Sequence, residues 1–210
     1  GVRLVIIDLG GSYTKFARLY PEQYALLRYR EGTSLGINPF YVAQAELIET
    51  EHLEDLTQFL LELLASDAPM GKPQTVALKK VLRHYYLQVR TGHSLATFYQ
   101  FVKAFKDSLL KTLDIPTSYL SLDYLLHILS EYVPGGLYHF LFAKGEDQTF
   151  RLEDKRMIIF ELDEVRDNRE LLAVMLKLIK TAIKRTIWTN RAEKGIILFD
   201  EFAKQLKFDN

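Results

Sequence analysis

Asp200 and Glu201 stand side by side at the end of the apolar run Ile196-Ile197-Leu198-Phe199. Such a run reads as a strand, and the carboxyl end of a strand is where open α/β sheets bind their ligands. An Asp there can help to hold Mg²⁺, and a Glu directly after it can reach a water molecule and take its proton. Phosphate hydrolysis needs both groups. The plainer reading is a strand that ends in two solvated acids capping a helix from Phe202 onward, because short strand-plus-acid patterns are common.

Two other places carry acids behind apolar runs. Met157-Ile158-Ile159-Phe160 leads into Glu161-Leu162-Asp163-Glu164, either a second acidic edge or acids that pair with nearby bases and cap the next helix. The latter is the expectation for Asp163 and Glu164. Leu4–Ile7 leads into Asp8-Leu9-Gly10-Gly11-Ser12-Tyr13-Thr14-Lys15. With a second strand over Lys15–Tyr20, this segment resembles the first phosphate loop of actin-like and sugar-kinase-like ATPases. Asp8 would then meet Mg²⁺ through water and the backbone amides near Ser12 would meet phosphates, which makes Asp8 and Ser12 candidate nucleotide-binding residues. A glycine turn between two buried strands explains the same residues without a ligand.

The phosphate loop Gly-x-x-x-x-Gly-Lys-Ser/Thr (Walker A) does not occur in the chain. Its one Gly-Lys pair, Gly71-Lys72, is followed by Pro73 and has Ser66 five positions before the glycine. A P-loop reading therefore requires that loop to lie upstream of these residues. The five histidines (52, 84, 93, 127, 139) have no metal-ligand spacing. Ser12 lacks the context of a nucleophile elbow.

The elements that would position these groups fall into three regions. Residues 1–43 read as strands and turns, with apolar runs at Leu4–Ile7, Lys15–Tyr20 and Tyr24–Tyr29 and a breaker-rich loop reaching Asn38-Pro39-Phe40. Residues 44–132 read as an all-α insertion. Leu53, Leu56, Leu60, Leu63 and Leu64 share one helical face, and Phe98, Phe101, Val102, Phe105 and Leu109 share another. Ser121 is placed to cap a further helix. Residues 133–210 return to α/β, with strands expected at Leu137–Phe142, Met157–Leu162 and Ile196–Phe199, and a long amphipathic helix through Leu171, Met175 and Leu178. Strand, helix, strand is a parallel crossover unit.

Of the 210 residues, 27 are basic and 27 acidic, 48% are hydrophobic and none is cysteine. That composition excludes a disordered tail, disulfides and Cys-based zinc sites, and agrees with a reducing compartment. Zero net charge gives no electrostatic argument for nucleic acid or membrane binding. No apolar run is long enough to span a bilayer, and the first residues do not have the parts of a signal peptide. A chain that opens inside a strand leads to the expectation of a piece cut from a longer protein, with Gly1 a cloning remnant.

The charges are nonetheless segregated. Residues 44–67 hold seven acids and no base, whereas residues 69–113 hold eight bases and one acid, Asp107. Aromatic residues lie among those bases, a combination that can track single-stranded nucleic acid. A helical bundle whose acidic and basic elements pair, with the aromatics as its core, accounts for the cancelling charges better.

Four motifs in order resemble one family. They are Val5-Ile6-Ile7-Asp8-Leu9-Gly10-Gly11-Ser12-Tyr13, Asn38-Pro39-Phe40, Ile159-Phe160-Glu161-Leu162-Asp163-Glu164-Val165 and Ile196-Ile197-Leu198-Phe199-Asp200-Glu201-Phe202. The chain is similar, over essentially its whole length, to the ATPase domain of TraG/VirB-type conjugation ATPases of type IV secretion systems, from just after Walker A to just past Walker B. The resemblance implies an α/β fold, a partial RecA-like P-loop sheet with an all-α helical insertion. It implies ATP and Mg²⁺ as cofactors of the parent protein, Asp200 as the Mg²⁺ residue and Glu201 as the catalytic glutamate. It also implies homo-oligomers and other secretion subunits as partners, at the cytoplasmic face of the bacterial inner membrane, powering pilus assembly or DNA and protein transfer. Lacking Walker A, and ending nine residues after Glu201, the chain itself is expected to be inactive and to bind no nucleotide. The alternatives are the actin-like or sugar-kinase-like ATPase, which would also need a second phosphate loop and has only Gly135-Gly136 for its adenosine motif, and a non-enzymatic interaction domain.

Overall fold

The computed structural model describes residues 2–42, 48–65, 70–142, 155–184 and 194–200. In chain order the elements are β1 (Val2–Asp8), α1 (Thr14–Leu19), β2 (Tyr24–Arg28), α2 (Thr50–Leu64), α3 (Lys72–Gln88), α4 (Leu95–Thr112), α5 (Leu122–Leu129), β3 (Met157–Glu161), α6 (Arg169–Ala182) and β4 (Lys194–Asp200). The described residues form two compact units, one from residues before 36 together with those from 155 on, the other from residues 36–142.

The first unit is a four-stranded parallel sheet in the order β2-β3-β1-β4. Parallel strands read as continuous apolar runs because both faces can be covered. Accordingly Val5, Ile6, Ile7, Ile158, Ile159 and Phe160 are all buried. β1 sits in the middle, so the strands flanking α6 in the sequence are not neighbours: β3 and β4 each pair with β1 instead. Among the described residues β4 is an edge strand, and Ile196 to Phe199 remain exposed although the run is apolar. α6 starts at Asn168, whose side chain accepts the Leu171 amide at 3.0 Å.

Two expected strands are absent. Lys15–Leu19 lies in helix α1, about a turn and a half set up by the loop before it, and Tyr20 follows its last residue. Of these residues Ala17 is buried, against Ile6 and Ile159, while Phe16, Leu19 and Tyr20 are exposed. The strand–turn–strand that an actin-like phosphate loop needs is therefore not formed. Leu137–Phe142 holds a 3-10 turn at His139–Phe142, with Leu137 exposed and Leu141 and Phe142 buried.

In the second unit the helical faces behave as the periodicity dictates. Leu53, Leu56, Leu60, Leu63 and Leu64 are buried on α2, and Phe98, Phe101, Val102 and Leu109 on α4; Phe105 is half exposed and does not join them. Among the described residues from 50 to 130 there is no strand. Ser121 caps α5, its hydroxyl accepting the Tyr124 amide at 3.1 Å. Tyr85 and Tyr86 are buried among Phe40, Phe98 and His93, with ring centroids 4.8–6.2 Å apart. Aromatics packed in this way cannot stack on bases. Lys79 of α3 meets Glu54 of α2 at 3.2 Å, so acidic and basic helices do pair. Asn38-Pro39-Phe40 belongs to this packing: the Asn38 amide donates to the His93 carbonyl at 2.8 Å, and the Tyr86 hydroxyl to the Phe40 carbonyl at 2.6 Å.

Candidate active site at the carboxyl edge of the sheet

The register of the four strands lines up their last residues. Arg28 stands opposite Glu161, Glu161 opposite Asp8, and Asp8 opposite Asp200. Residues paired in register point to the same face. One base and three acids, separated by up to 192 positions in sequence, thus form a single row where such sheets bind ligands.

Each member of the row is held differently. The Asp8 side chain is wholly buried. One of its oxygens accepts the Gly10 amide at 2.9 Å and the other the Tyr13 amide at 3.1 Å. Those bonds fold the loop back over the strand end and start α1, where the Ala17 amide donates to the Tyr13 carbonyl at 3.0 Å. The Gly10 and Tyr13 amides are thereby engaged, and Ser12 is carried, exposed, on the same loop. Gly11 has φ +71°, and a Cβ there would lie 3.5 Å from Glu161 Oε1 and 3.7 Å from Asp163 Oδ2. A glycine meets that conformation without strain, and the loop passes close to Glu161 and Asp163.

Glu161 is buried and Arg28 neutralises it, the guanidinium donating at 2.7 Å. That hydrogen bond, above all, raises the Arg28 pKa, and the charges of Glu161, Asp163 and Glu164 add to it. Glu164 accepts the Glu31 amide at 3.0 Å and does not cap α6, a task that falls to Asn168. Asp163 Oδ1 is buried without a hydrogen-bond partner. Asp200 is partly exposed. Its charge and that of Asp8 reach the Tyr13 phenol, whose pKa is raised first by burial and then by these two carboxylates. Glu201 lies outside the described residues.

A sequence model of the TraG P-loop domain family matches residues 1–210. The chain belongs to that family. VirB4 of Thermoanaerobacter pseudethanolicus is a similar solved structure, with TM-score 0.62 and 16% identity over 95% of this chain and 74% of that one. At that identity the likeness shows the fold, a P-loop ATPase sheet. A comparison with curated protein sequences gives no match. The TraG P-loop family comprises conjugation and type IV secretion ATPases, whose chemistry implies ATP and Mg²⁺. Among the described residues of this TraG domain, no three His, Cys, Asp or Glu side chains could hold a metal by themselves. Mg²⁺ that arrives with a nucleotide needs only one or two carboxylates, because phosphates and water complete its shell. Asp200 beside Asp8 fits that mode of binding.

Arg28 was not among the residues singled out from the sequence, although it lies in an expected strand and ends β2. Its partner lies 133 positions away, and only strand order reveals it. Among the described residues no helix is long and apolar enough to cross a membrane.

Proposed function

We propose that this TraG domain carries the Mg²⁺ residue and the catalytic carboxylate of a conjugative-transfer or type IV secretion ATPase, as Asp200 and Glu201. The observation that supports this most is the placement of Asp200 in register with Asp8 at the carboxyl edge of a P-loop family sheet. Bound Mg²⁺ would supply positive charge to the phosphate oxygens. Asp200 holds the cation, and Glu201, one residue on, orients the attacking water and takes its proton. Asp8 acts by shaping its loop, which sets the Ser12 hydroxyl at the nucleotide side of the edge. Residues 1–210 alone do not turn over ATP, because they contain no Gly-x-x-x-x-Gly-Lys-Ser/Thr to cradle the phosphates. The parent works as a homo-oligomer with other secretion subunits at the inner face of the bacterial cytoplasmic membrane.

The test uses the longer protein with its phosphate loop. Glu201→Gln should lower hydrolysis by roughly 10²–10⁴-fold while nucleotide binding survives. Asp200→Asn should weaken Mg²⁺-dependent binding as well as turnover. An unchanged rate in Glu201→Gln would return both acids to the role of strand end and helix cap. Calorimetry showing low-micromolar ATP binding to residues 1–210 would reject the expectation that they bind nucleotide weakly or not at all.

A further inference from the structure

The helical unit contains a groove of about 330 Å³ between the start of α3 and the segment that follows α4. Its floor and walls are Pro73, Val76, Ala77, Ile115, Pro116 and Tyr119. Val76 and Tyr119 both line it and each leaves more than 40% of its surface to solvent, so the groove keeps an accessible apolar lining. The wall after α4 is fixed by its backbone. Asp114 takes φ +53°, and the Ile115 amide turns back to the Leu110 carbonyl at 2.8 Å. The Tyr119 amide then donates to the Pro116 carbonyl at 2.9 Å.

The groove also carries charge. Lys72 and Lys80 line it from α3, where positions 72, 73, 76, 77 and 80 fall on one helical face. Neighbouring lysines are engaged: Lys79 with Glu54, Lys106 with Asp123 and Lys103 over the Tyr99 ring. Lys72 and Lys80 have no ion pair among the described residues, and they stand roughly 12 Å apart along α3. Asp114, on the facing wall, makes the two sides unlike in sign.

We propose that this groove docks an acidic amphipathic segment of a partner protein, its apolar side chains between Val76 and Tyr119 and its carboxylates on Lys72 and Lys80. Apolar anchors inside a cleft with complementary charge at the rim are how grooves select amphipathic helices. One aromatic ring and two lysines fall short of the continuous basic track and several stacking platforms that a nucleic acid backbone needs, whereas they match the few charges and apolar anchors of a short acidic segment held on the α3 side, away from Asp114. The inference is independent of the catalytic reading of Asp200 and Glu201.

The test is fluorescence anisotropy on residues 1–210 with a labelled 14-residue helical peptide that has Leu and Trp on one face and Glu along its flanks. Three competitors accompany it: the same peptide with Lys for Glu, the same with Ala for Leu and Trp, and a 20-nucleotide oligo-dT. The acidic amphipathic peptide should bind, and both peptide competitors should bind at least tenfold more weakly. Lys72→Glu/Lys80→Glu should lose the acidic peptide by tenfold or more and gain the lysine peptide. Val76→Asp should weaken the acidic peptide in the same way. All three positions are solvent-facing, and an unchanged melting temperature confirms folding. Equal binding by wild type and Lys72→Glu/Lys80→Glu, no peptide binding, or oligo-dT binding that the lysine substitutions abolish would each overturn the proposal.

Discussion

Asp8 and Asp200 end neighbouring parallel strands at the same register position, yet only Asp8 is wholly buried. Asp8 can lie there because its two oxygens each accept a backbone amide, from Gly10 and Tyr13. Hydrogen bonds of that kind stand in for the water a buried carboxylate loses. Asp200 keeps contact with solvent, which the cation-binding role proposed for it needs.

Asp8→Ala would leave the Gly10 and Tyr13 amides without their acceptor and release the loop. Urea denaturation of residues 1–210 should show a loss of about 2–3 kcal/mol, against about 1 kcal/mol for Asp8→Asn, which retains one acceptor oxygen. Equal losses for the two variants would mean that the amides do not depend on Asp8.

Arg28→Met removes the partner of the buried Glu161 carboxylate. The expected cost is about 2–4 kcal/mol, below that of a fully enclosed pair because Arg28 is partly exposed. Arg28→Met/Glu161→Leu should recover most of it. A double variant no more stable than Arg28→Met would show that the charge left behind is not the source of the loss.

Tyr13 gives a pH dependence. Its folded pKa lies above the ordinary 10.0, so the folded chain keeps that proton to higher pH than the unfolded one. The stability this contributes is fully present below about pH 10 and declines as pH rises through the folded pKa. Asp200→Asn should lower the Tyr13 pKa toward the ordinary value, followed by NMR of the labelled ring carbon beside the hydroxyl. A titration midpoint that stays in place would disprove the electrostatic link between the two residues.

Ser94 and Thr97 form a reciprocal capping box at the start of α4, and the Thr97 hydroxyl also meets the Tyr85 hydroxyl at 2.6 Å. Ser94→Ala should cost about 1 kcal/mol. Thr97→Val should cost about 1–3 kcal/mol, because it removes its half of the cap and leaves the hydroxyl of the buried Tyr85 with only the longer bond from the Ser94 amide, at 3.3 Å. Calorimetric melting of residues 1–210 measures both, and a Thr97→Val loss smaller than that of Ser94→Ala would detach Tyr85 from the cap.

The sequence by itself determined the kinds of element and where most of them lie. Runs such as Leu4–Ile7 and Ile158–Phe160 are long enough and apolar enough to be central strands, and the leucines of α2 recur at a spacing that only a helix turns to one side. It also supplied the acids at the strand ends and the Ser121 cap, because these are local properties. Where local preference is weak it misled. The alternation of Phe16, Arg18 and Tyr20 suits a strand, but the Asp8 bonds to Gly10 and Tyr13 turn that segment into α1. Leu137–Phe142 is largely apolar, yet the Tyr138 amide donates back to Glu131 and the Leu141 amide to Tyr138, and the segment meets no strand among the described residues. Only the tertiary structure decided which strands are neighbours. Strand order brings Arg28 to Glu161 and Asp8 to Asp200, and pairing register, fixed over more than a hundred residues of intervening chain, leaves no trace in local composition.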